Sequence, residues 1–413
     1  MNLEIVTIGT ELLLGFTIDT NGAEIAQTLA AIGGRVTRRT SVPDRSEDIQ
    51  DAVSAALKRT GRVITTGGLG PTRDDITKQC IAALLGRPLE FHDDIWQELV
   101  ARYSRFGRIP SESNRSQAEV PRGAMVLPNP RGSAPGIWIE DPRGLVVMLP
   151  GVPGEMRGLM REEVAPRLAV RVSGSIIQSR TLRATGIPES SLAELLGDIE
   201  EAIAPITLAY LPGLDGVDLR LTAWDLAPVN AESQLATGAA LIRERAGEHI
   251  YGEGEADLAA MVLDEARRRG SRLAVAESCT GGLVGSRLTA IPGASDVFVG
   301  GVIAYEDEVK MRELGVPAMD IQTHGAVSEA VVRRMVTGVA ARFNADLAMA
   351  VTGIAGPTGG SEAKPVGLVW FGSLASGHVL AQQHVFPGPR ENVRARSAQA
   401  VLFQLYKRLL KGG

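Results

Sequence analysis

Residues Ala274 to Gly282 read A-V-A-E-S-C-T-G-G. The apolar start reads as a buried strand, and the small residues after it open a helix. A strand that turns straight into a helix places this region in an α/β sheet. Ser278 stands at the corner, with backbone N–H groups of the next turn beside it. Such a corner suits three roles: a nucleophile with an oxyanion hole, an anion held on free amides, or a plain tight turn. The stretch by itself is compatible with all three.

Outward from that corner, the chain has 413 residues, which predicts two or three domains. Apolar residues make up 44% and charged residues 22%, the balance of a soluble globular protein. A net charge of −5 with no basic block argues against nucleic acid as a main partner. Met1 to Gly15 has no basic segment ahead of an apolar run, so no signal peptide is expected. No run of 18 apolar residues occurs, so no membrane span is expected. Cys80 and Cys279 make neither a metal pattern nor a disulfide framework, which fits a reducing cytoplasm.

The last segment continues the alternation. Leu258 to Ala266 marks an amphipathic helix, Val297 to Tyr305 a second buried strand, and Ser328 to Phe343 a helix. Leu347 to Val351 is a buried strand leading into T-G-I-A-G-P-T-G-G, Thr352 to Gly360. Two strands, 367–374 and 379–386, and a helix, 392–410, close the chain. Three strand ends thus present polar groups: Ser278, Tyr305 with Lys310, and Thr352. A serine needs a base to attack a carbonyl. His324 is the nearby histidine, but no third member of a triad is evident. Lys310 is the better base, because a lysine desolvated against a sheet can lose its proton near neutral pH. Its neighbours Glu306, Asp307 and Glu308 favour a plain surface residue. Cys279, first on a helix start, is expected to point away.

The first segment reads as strands Leu3–Ile8, Val36–Val42 and Arg62–Thr66 alternating with helices, one capped by Thr20 or Asn21 and one starting at Ser46. That alternation predicts a parallel sheet whose ligands lie beyond the carboxyl ends of the strands. There the third strand meets T-T-G-G-L-G-P-T-R-D-D, Thr65 to Asp75. Gly67, Gly68 and Gly70 allow close backbone approach to a ligand. Asp74 and Asp75 are expected to head a helix running through Leu85. They either hold a divalent cation with room for phosphate or, more plainly, cap the helix and favour its dipole. Asn129 to Gly136 and Leu149 to Met156 are two further Gly- and Pro-rich turns. Three such turns after apolar strands favour a shared nucleotide or phosphate site. The middle, residues 172–254, reads as a small α+β unit without candidate ligands, a spacer and subunit contact.

I-G-T-E-L-L-L-G from Ile8, D-T-N from Asp19, Thr65–Asp75 and L-P-G-V-P-G-E-M from Leu149 resemble the CinA family. The first segment is similar to MoaB/MogA molybdopterin-binding domains. A-E-S-C-T-G-G, Y-x-x-E-x-K and T-G-I-A-G-P-T-G-G-S-E-x-K-P-V-G resemble the CinA C-terminal domain, which is similar to PncC-type nicotinamide mononucleotide amidases. The resemblance implies three domains, residues 1–171, 172–254 and 255–413. It implies a cytoplasmic homodimer of pyridine nucleotide salvage. In the last domain, nicotinamide mononucleotide would yield nicotinic acid mononucleotide and ammonia without a metal. Ser278 would attack, Lys310 would take its proton, and N–H groups of Thr280, Gly281 and Gly282 would hold the oxyanion. Tyr305 and Thr352 would orient the pair, Gly353, Ala355 and Gly356 would wrap the nucleotide, and Arg394 would meet its phosphate. In the first domain, ADP-ribose would yield AMP and ribose 5-phosphate with magnesium or a similar ion. Asp74, Asp75 and Glu11 would hold the metal, through which Asp75 would act. Asp19, Asn21, Gly67, Gly68, Ser133 and Gly154 would complete the pocket. The rival readings are a non-catalytic nucleotide-binding regulator and a molybdopterin-handling protein.

Overall fold

The computed structural model of the chain describes residues 1–172 and 176–411. It divides into two compact units, residues 1–178 with 223–233, and residues 179–222 with 234 onward. The strands are β1 (Asn2–Ile8), β2 (Arg35–Val42), β3 (Arg62–Thr66), β4 (Leu89–Phe91), β5 (Glu119–Pro121), β6 (Met125–Leu127), β7 (Gly136–Asp141), β8 (Gly144–Leu149) and β9 (Ile176–Ala184). They continue with β10 (Thr207–Pro212), β11 (Val217–Leu226), β12 (Ile250–Glu253), β13 (Leu273–Glu277), β14 (Phe298–Ile303), β15 (Leu347–Gly353), β16 (Leu368–Ala375) and β17 (His378–Val385).

The first unit is built on a sheet of order β2-β1-β3-β8-β7-β6. β2, β1, β3 and β8 are parallel, as the strand–helix alternation predicts. β7 and β6 run antiparallel. Only Pro142 and Arg143 separate β7 from β8, far too few for the crossover a parallel neighbour requires. Side chains alternate along β1 between two cores. Leu3 and Ile5 pack with Ile25 and Leu29 of the helix Asn21–Ala31. Val6 and Ile8 pack with Ile49 and Val53 of the helix Ser46–Thr60. Neither Thr20 nor Asn21 caps the first of these helices; the Asp19 carboxylate accepts the Gly22 N–H at 2.8 Å.

The middle strands form a sheet of order β10-β11-β9-β12. Two short helices, Glu189–Leu196 and Ile199–Ala202, lie beside it, separated at Gly197 with its φ of 56°. The sheet of the last segment has the order β14-β13-β15-β16-β17. β14, β13 and β15 are parallel, and β16 and β17 return antiparallel. β13 is buried at every residue, whereas β14 is an edge strand and only partly covered, contrary to the expectation of a second buried strand. The helix Glu329–Phe343 covers one face with Val332, Met335, Val336 and Val339. The helices Leu258–Arg268 and Arg390–Leu410 cover the other. Among the described residues no helix is long and apolar enough to cross a membrane.

Candidate functional site

In the second unit, Ser278 follows β13, the central member of the three parallel strands. Its N–H donates to Val351 O of β15 at 2.9 Å, which fixes the corner. The residue before it organises the turn. The Glu277 carboxylate, 1% exposed, accepts N–H bonds from Gly282 at 3.0 Å, Val284 at 3.1 Å and Gly285 at 2.8 Å. Gly281 donates to Ser278 O at 3.0 Å. The amides expected to hold an oxyanion at Gly281 and Gly282 are therefore already engaged. The N–H groups of Cys279 and Thr280 have no acceptor among the described residues, and the buried Thr280 Oγ1 also lacks a partner. The free donors lie at the start of the turn because Glu277 occupies the helix end. Gly281 and Gly282 have φ of 59° and 93°, which lets the chain reverse over that carboxylate.

Glu277→Ala would leave three donors unpaired, the buried Val284 N–H and the half-buried Gly282 and Gly285 N–H groups, at up to roughly 1–3 kcal/mol each. We expect a loss of about 3 kcal/mol or more in urea unfolding. Glu277→Gln, which keeps acceptor capacity, should lose less. Cys279 is buried in the core, and burial pushes its thiol up to about 12. It should stay unmodified by iodoacetamide at pH 8 in the native protein and react once unfolded, as read by peptide mass mapping. This agrees with the expectation that it points away.

Lys310 is not the surface residue its acidic neighbours suggest; it is 2% exposed. The helix Asp307–Leu314 turns it inward, and its Nζ donates to Tyr305 O at 3.1 Å and to Asp307 Oδ1 at 3.2 Å. Tyr305 follows β14, whose last residue Ile303 pairs with Glu277. Ser278, Tyr305 and Thr352 therefore end three neighbouring strands at the same edge. No hydrogen bond joins Ser278 and Lys310 among the described residues. Thr352 is buried and donates to Ala326 O at 3.0 Å, so it ties down a loop. Gly353 ends β15 where an added Cβ would meet Val369 at 2.6 Å. Ala355 is buried and Gly356 has a φ of 80° in the loop beyond.

Arg394 does not stand free for a phosphate. Its Nη2 donates to Thr280 O at 2.7 Å and so braces the serine turn. Arg390, one turn earlier, bridges Gly356 O and the Tyr305 hydroxyl, each at 2.8 Å. The sequence reading missed Arg390. Its signal is two arginines four apart in the opening turns of a helix, where acids are favoured by the dipole. Together with the helix N-terminus they make this corner electropositive. Lys364, within the last glycine-rich motif, bonds His324 O at 2.6 Å and Val327 O at 2.8 Å, which anchors that loop.

In the first unit, the Gly67 φ of 108° brings the β3 turn so close to β1 that an added Cβ would lie 2.1 Å from Ile8 O. A Cβ at Gly68 would likewise strike Thr77 Oγ1 at 2.1 Å. Asn21 Nδ2 joins Thr66 Oγ1 at 3.0 Å and Gly151 O at 2.8 Å, so the start of the helix Asn21–Ala31 is tied to the ends of β3 and β8. Asp74 and Asp75 do not head the helix, which begins at Thr77 and has no side-chain cap. Both carboxylates accept from the Thr72 hydroxyl, and Asp75 also takes the Thr72 N–H at 2.8 Å. The Thr72 hydroxyl holds the Asp74 carboxyl below the usual carboxylate range. Glu11 lies on the short helix Thr10–Leu13, folded back over Gly9. It does not complete a metal cluster: among the described residues no three His, Cys, Asp or Glu side chains converge. Ser133 accepts from Gln117 Nε2 at 2.9 Å, and Gly154 faces open space at the start of the helix Pro153–Leu159. Lys78, not foreseen, is 4% exposed and bonds Glu119 O at 2.8 Å. Burial pushes its ammonium down to about 8, against the charge of the nearby Asp75.

Three family models match consecutive stretches of the chain. They are a probable molybdopterin binding domain over residues 4–170, the damage-inducible protein CinA KH domain over 179–252, and the CinA C-terminal domain over 255–409. The class is thus a multidomain α/β protein with a MoaB/MogA-like first domain. A CinA-like protein of Gemmatimonas aurantiaca is 54% identical over 409 residues, spanning 98% of this chain and 96% of that one. A CinA-like protein of Prochlorococcus marinus is 44% identical over 415 residues, spanning 99% and 96%. The crystal structure of the competence damage-inducible protein A of Klebsiella pneumoniae is 38% identical, with a TM-score of 0.36, and covers 37% of this chain and 95% of that one. The chain belongs to the CinA family.

Proposed function

We propose that the second unit deamidates nicotinamide mononucleotide to nicotinic acid mononucleotide and ammonia. The observation that carries this reading is Ser278 on a strand-end corner, with unclaimed N–H groups at Cys279 and Thr280 and the buried Lys310 on the helix that follows the adjoining strand. Ser278 Oγ attacks the carboxamide carbon while its proton passes to Lys310. The carbonyl oxygen takes the electron pair and is held by the two free amides. Collapse expels ammonia, which leaves with the proton from Lys310, and forms an ester on Ser278. Water then attacks the ester, returns a proton through Lys310 to Ser278, and releases the carboxylic acid. For the first transfer a neutral Nζ can keep donating to Tyr305 O and Asp307 while its lone pair accepts from the Ser278 hydroxyl, a contact that tightens when substrate binds. Arg390 and the electropositive corner would draw in the substrate phosphate.

For the first unit we infer cleavage of the ADP-ribose pyrophosphate to AMP and ribose 5-phosphate. Two carboxylates plus substrate phosphates suit a hard divalent cation, and Asp74 with Asp75 would hold it without Glu11. Such an ion would supply neutralisation of pyrophosphate charge. The loops at Gly67–Gly68 and Gly151–Gly154 let the ligand approach the backbone, and Asn21 fixes their spacing.

The test of the amidase is ammonia release from nicotinamide mononucleotide by the intact chain. Release is expected with and without a chelator. Absence of release from folded protein across pH 7–10 would sink the amidase and favour a nucleotide-binding regulator.

A further inference from the structure

The middle sheet, β10-β11-β9-β12, supplies no group to either proposed reaction, yet one side chain ties it to the serine corner. Arg287 lies on the short helix Leu283–Thr289, which starts where the serine turn ends, and its side chain is 19% exposed. Val284 and Gly285, whose N–H groups the Glu277 carboxylate holds, lie within one turn before it. A shift of this helix therefore moves the Glu277 clasp and, with it, the free amides of Cys279 and Thr280.

The guanidinium reaches three other elements, all within the second unit. Nη1 donates to Oε1 of Gln399, a buried residue of the helix Arg390–Leu410, at 2.8 Å. The same helix sends Arg394 to Thr280 O and Arg390 to the Tyr305 hydroxyl. The Arg287–Gln399 bond thus helps fix the spacing between the oxyanion amides and Arg390. Nη2 faces Asp257 Oδ1 at 4.0 Å, and that carboxylate caps the helix Leu258–Arg268 by accepting the Ala259 N–H at 2.7 Å. Nη1 also faces Asp215 Oδ1 at 3.5 Å. Asp215 sits on the turn between β10 and β11, and the turn is closed: the Gly213 N–H donates to Gly216 O at 2.7 Å. Gly216, at a φ of 140°, comes so near the end of β9 that an added Cβ would lie 1.9 Å from Ala184 O. The middle sheet therefore holds Asp215 in place, and one planar fork of donors joins that sheet to three helices of the last segment.

We propose that Arg287 is a positioning residue for the amidase corner, and that through Asp215 the middle sheet sets the rate of the chemical step. The proposal rests on the amidase reading. Arg287 acts by steadying the helix end that Glu277 grips, so the two oxyanion donors stay aimed while the carbonyl oxygen gains charge. Its carboxylate partners are about half exposed, so salt screens the brace.

The test uses the full-length chain and two readouts. The first is kcat and KM for ammonia release from nicotinamide mononucleotide. Arg287→Met should lower kcat about tenfold, less than the hundredfold that misplaced reacting groups can cost, with KM within about twofold of wild type. Arg287→Lys, which keeps a donor for Gln399, should recover most of that loss. Asp215→Asn should lower kcat about threefold, the scale of an exposed ion pair, and Asp215→Glu should restore it. Raising salt from about 0.05 to about 0.5 M at saturating substrate should bring the wild type toward Asp215→Asn and change that variant less. The second readout is hydrogen exchange in peptides spanning 278–289, which reports the amides held by Glu277 whether or not ammonia is released. Exchange there should quicken in Arg287→Met and Asp215→Asn, with peptides from 62–85 unchanged. A wild type that releases no ammonia removes the amidase reading and the rate claim with it, while quickened exchange would still support the brace. An Arg287→Met that fails to fold leaves the half-exposed Asp215 variants to decide. Wild-type kcat in Asp215→Asn, a loss expressed in KM alone, or unchanged exchange at 278–289 would overturn the positioning role.

Discussion

Ser278→Ala is expected to lower ammonia release from nicotinamide mononucleotide by at least about 10³-fold, the scale on which hydrolases lose activity without their nucleophile. The loss should be chemical and not structural. Ser278 is fixed through its main chain, whose N–H bonds Val351 O at 2.9 Å and whose carbonyl accepts from Gly281. No hydrogen bond of its hydroxyl is found among the described residues, so removing Oγ leaves no donor or acceptor orphaned. The variant should keep its Tm within a degree or two and still bind substrate, since the binding groups Arg390 and the glycine turn are untouched. A variant that releases ammonia at the wild-type rate would remove Ser278 from the chemistry. A variant that fails to fold would contradict the hydrogen-bond pattern around the corner, and Tm distinguishes the two results.

Asp75→Asn should lower AMP formation from ADP-ribose by at least about a hundredfold, since a lost carboxylate weakens both cation binding and charge compensation. The asparagine oxygen still accepts the Thr72 N–H now held at 2.8 Å, so the loop keeps its shape. Asp74 shares the Thr72 hydroxyl, and Asp74→Asn should show a loss of similar kind. Glu11→Gln should act weakly, because Glu11 does not join these carboxylates in a cluster. Ammonia release by Asp75→Asn should equal that of the wild type. AMP formation at full rate in Asp75→Asn would exclude the two-carboxylate site, and chromatographic separation of AMP from ADP-ribose reads it directly.

Much of this architecture is legible from local pattern. Alternating apolar residues place β1 between two helical layers, and the strand-to-helix composition of Ala274–Gly282 locates the Ser278 corner. Ordered motifs are enough to identify the family. Local pattern is reliable there because strand and helix periodicity and glycine turns are governed by neighbours within a few residues.

What the sequence by itself determined is the order of elements, the class of fold and the set of strand ends that carry polar groups. The tertiary structure decided how each polar group is spent. Lys310 sits among acids in sequence yet is 2% exposed, because burial depends on what packs over a helix and not on its neighbours along it. Asp74 and Asp75 precede a helix in sequence, but the Thr72 hydroxyl claims both carboxylates and the helix starts later. The amides of Gly282, Val284 and Gly285 are lost to any oxyanion because Glu277 reaches back across the turn. Arg394 meets a carbonyl and Arg390 a phenol through contacts more than eighty positions apart in the chain, at Thr280 and Tyr305. Hydrogen-bond partners of buried polar groups are chosen by distance in space, and only the folded chain sets that distance.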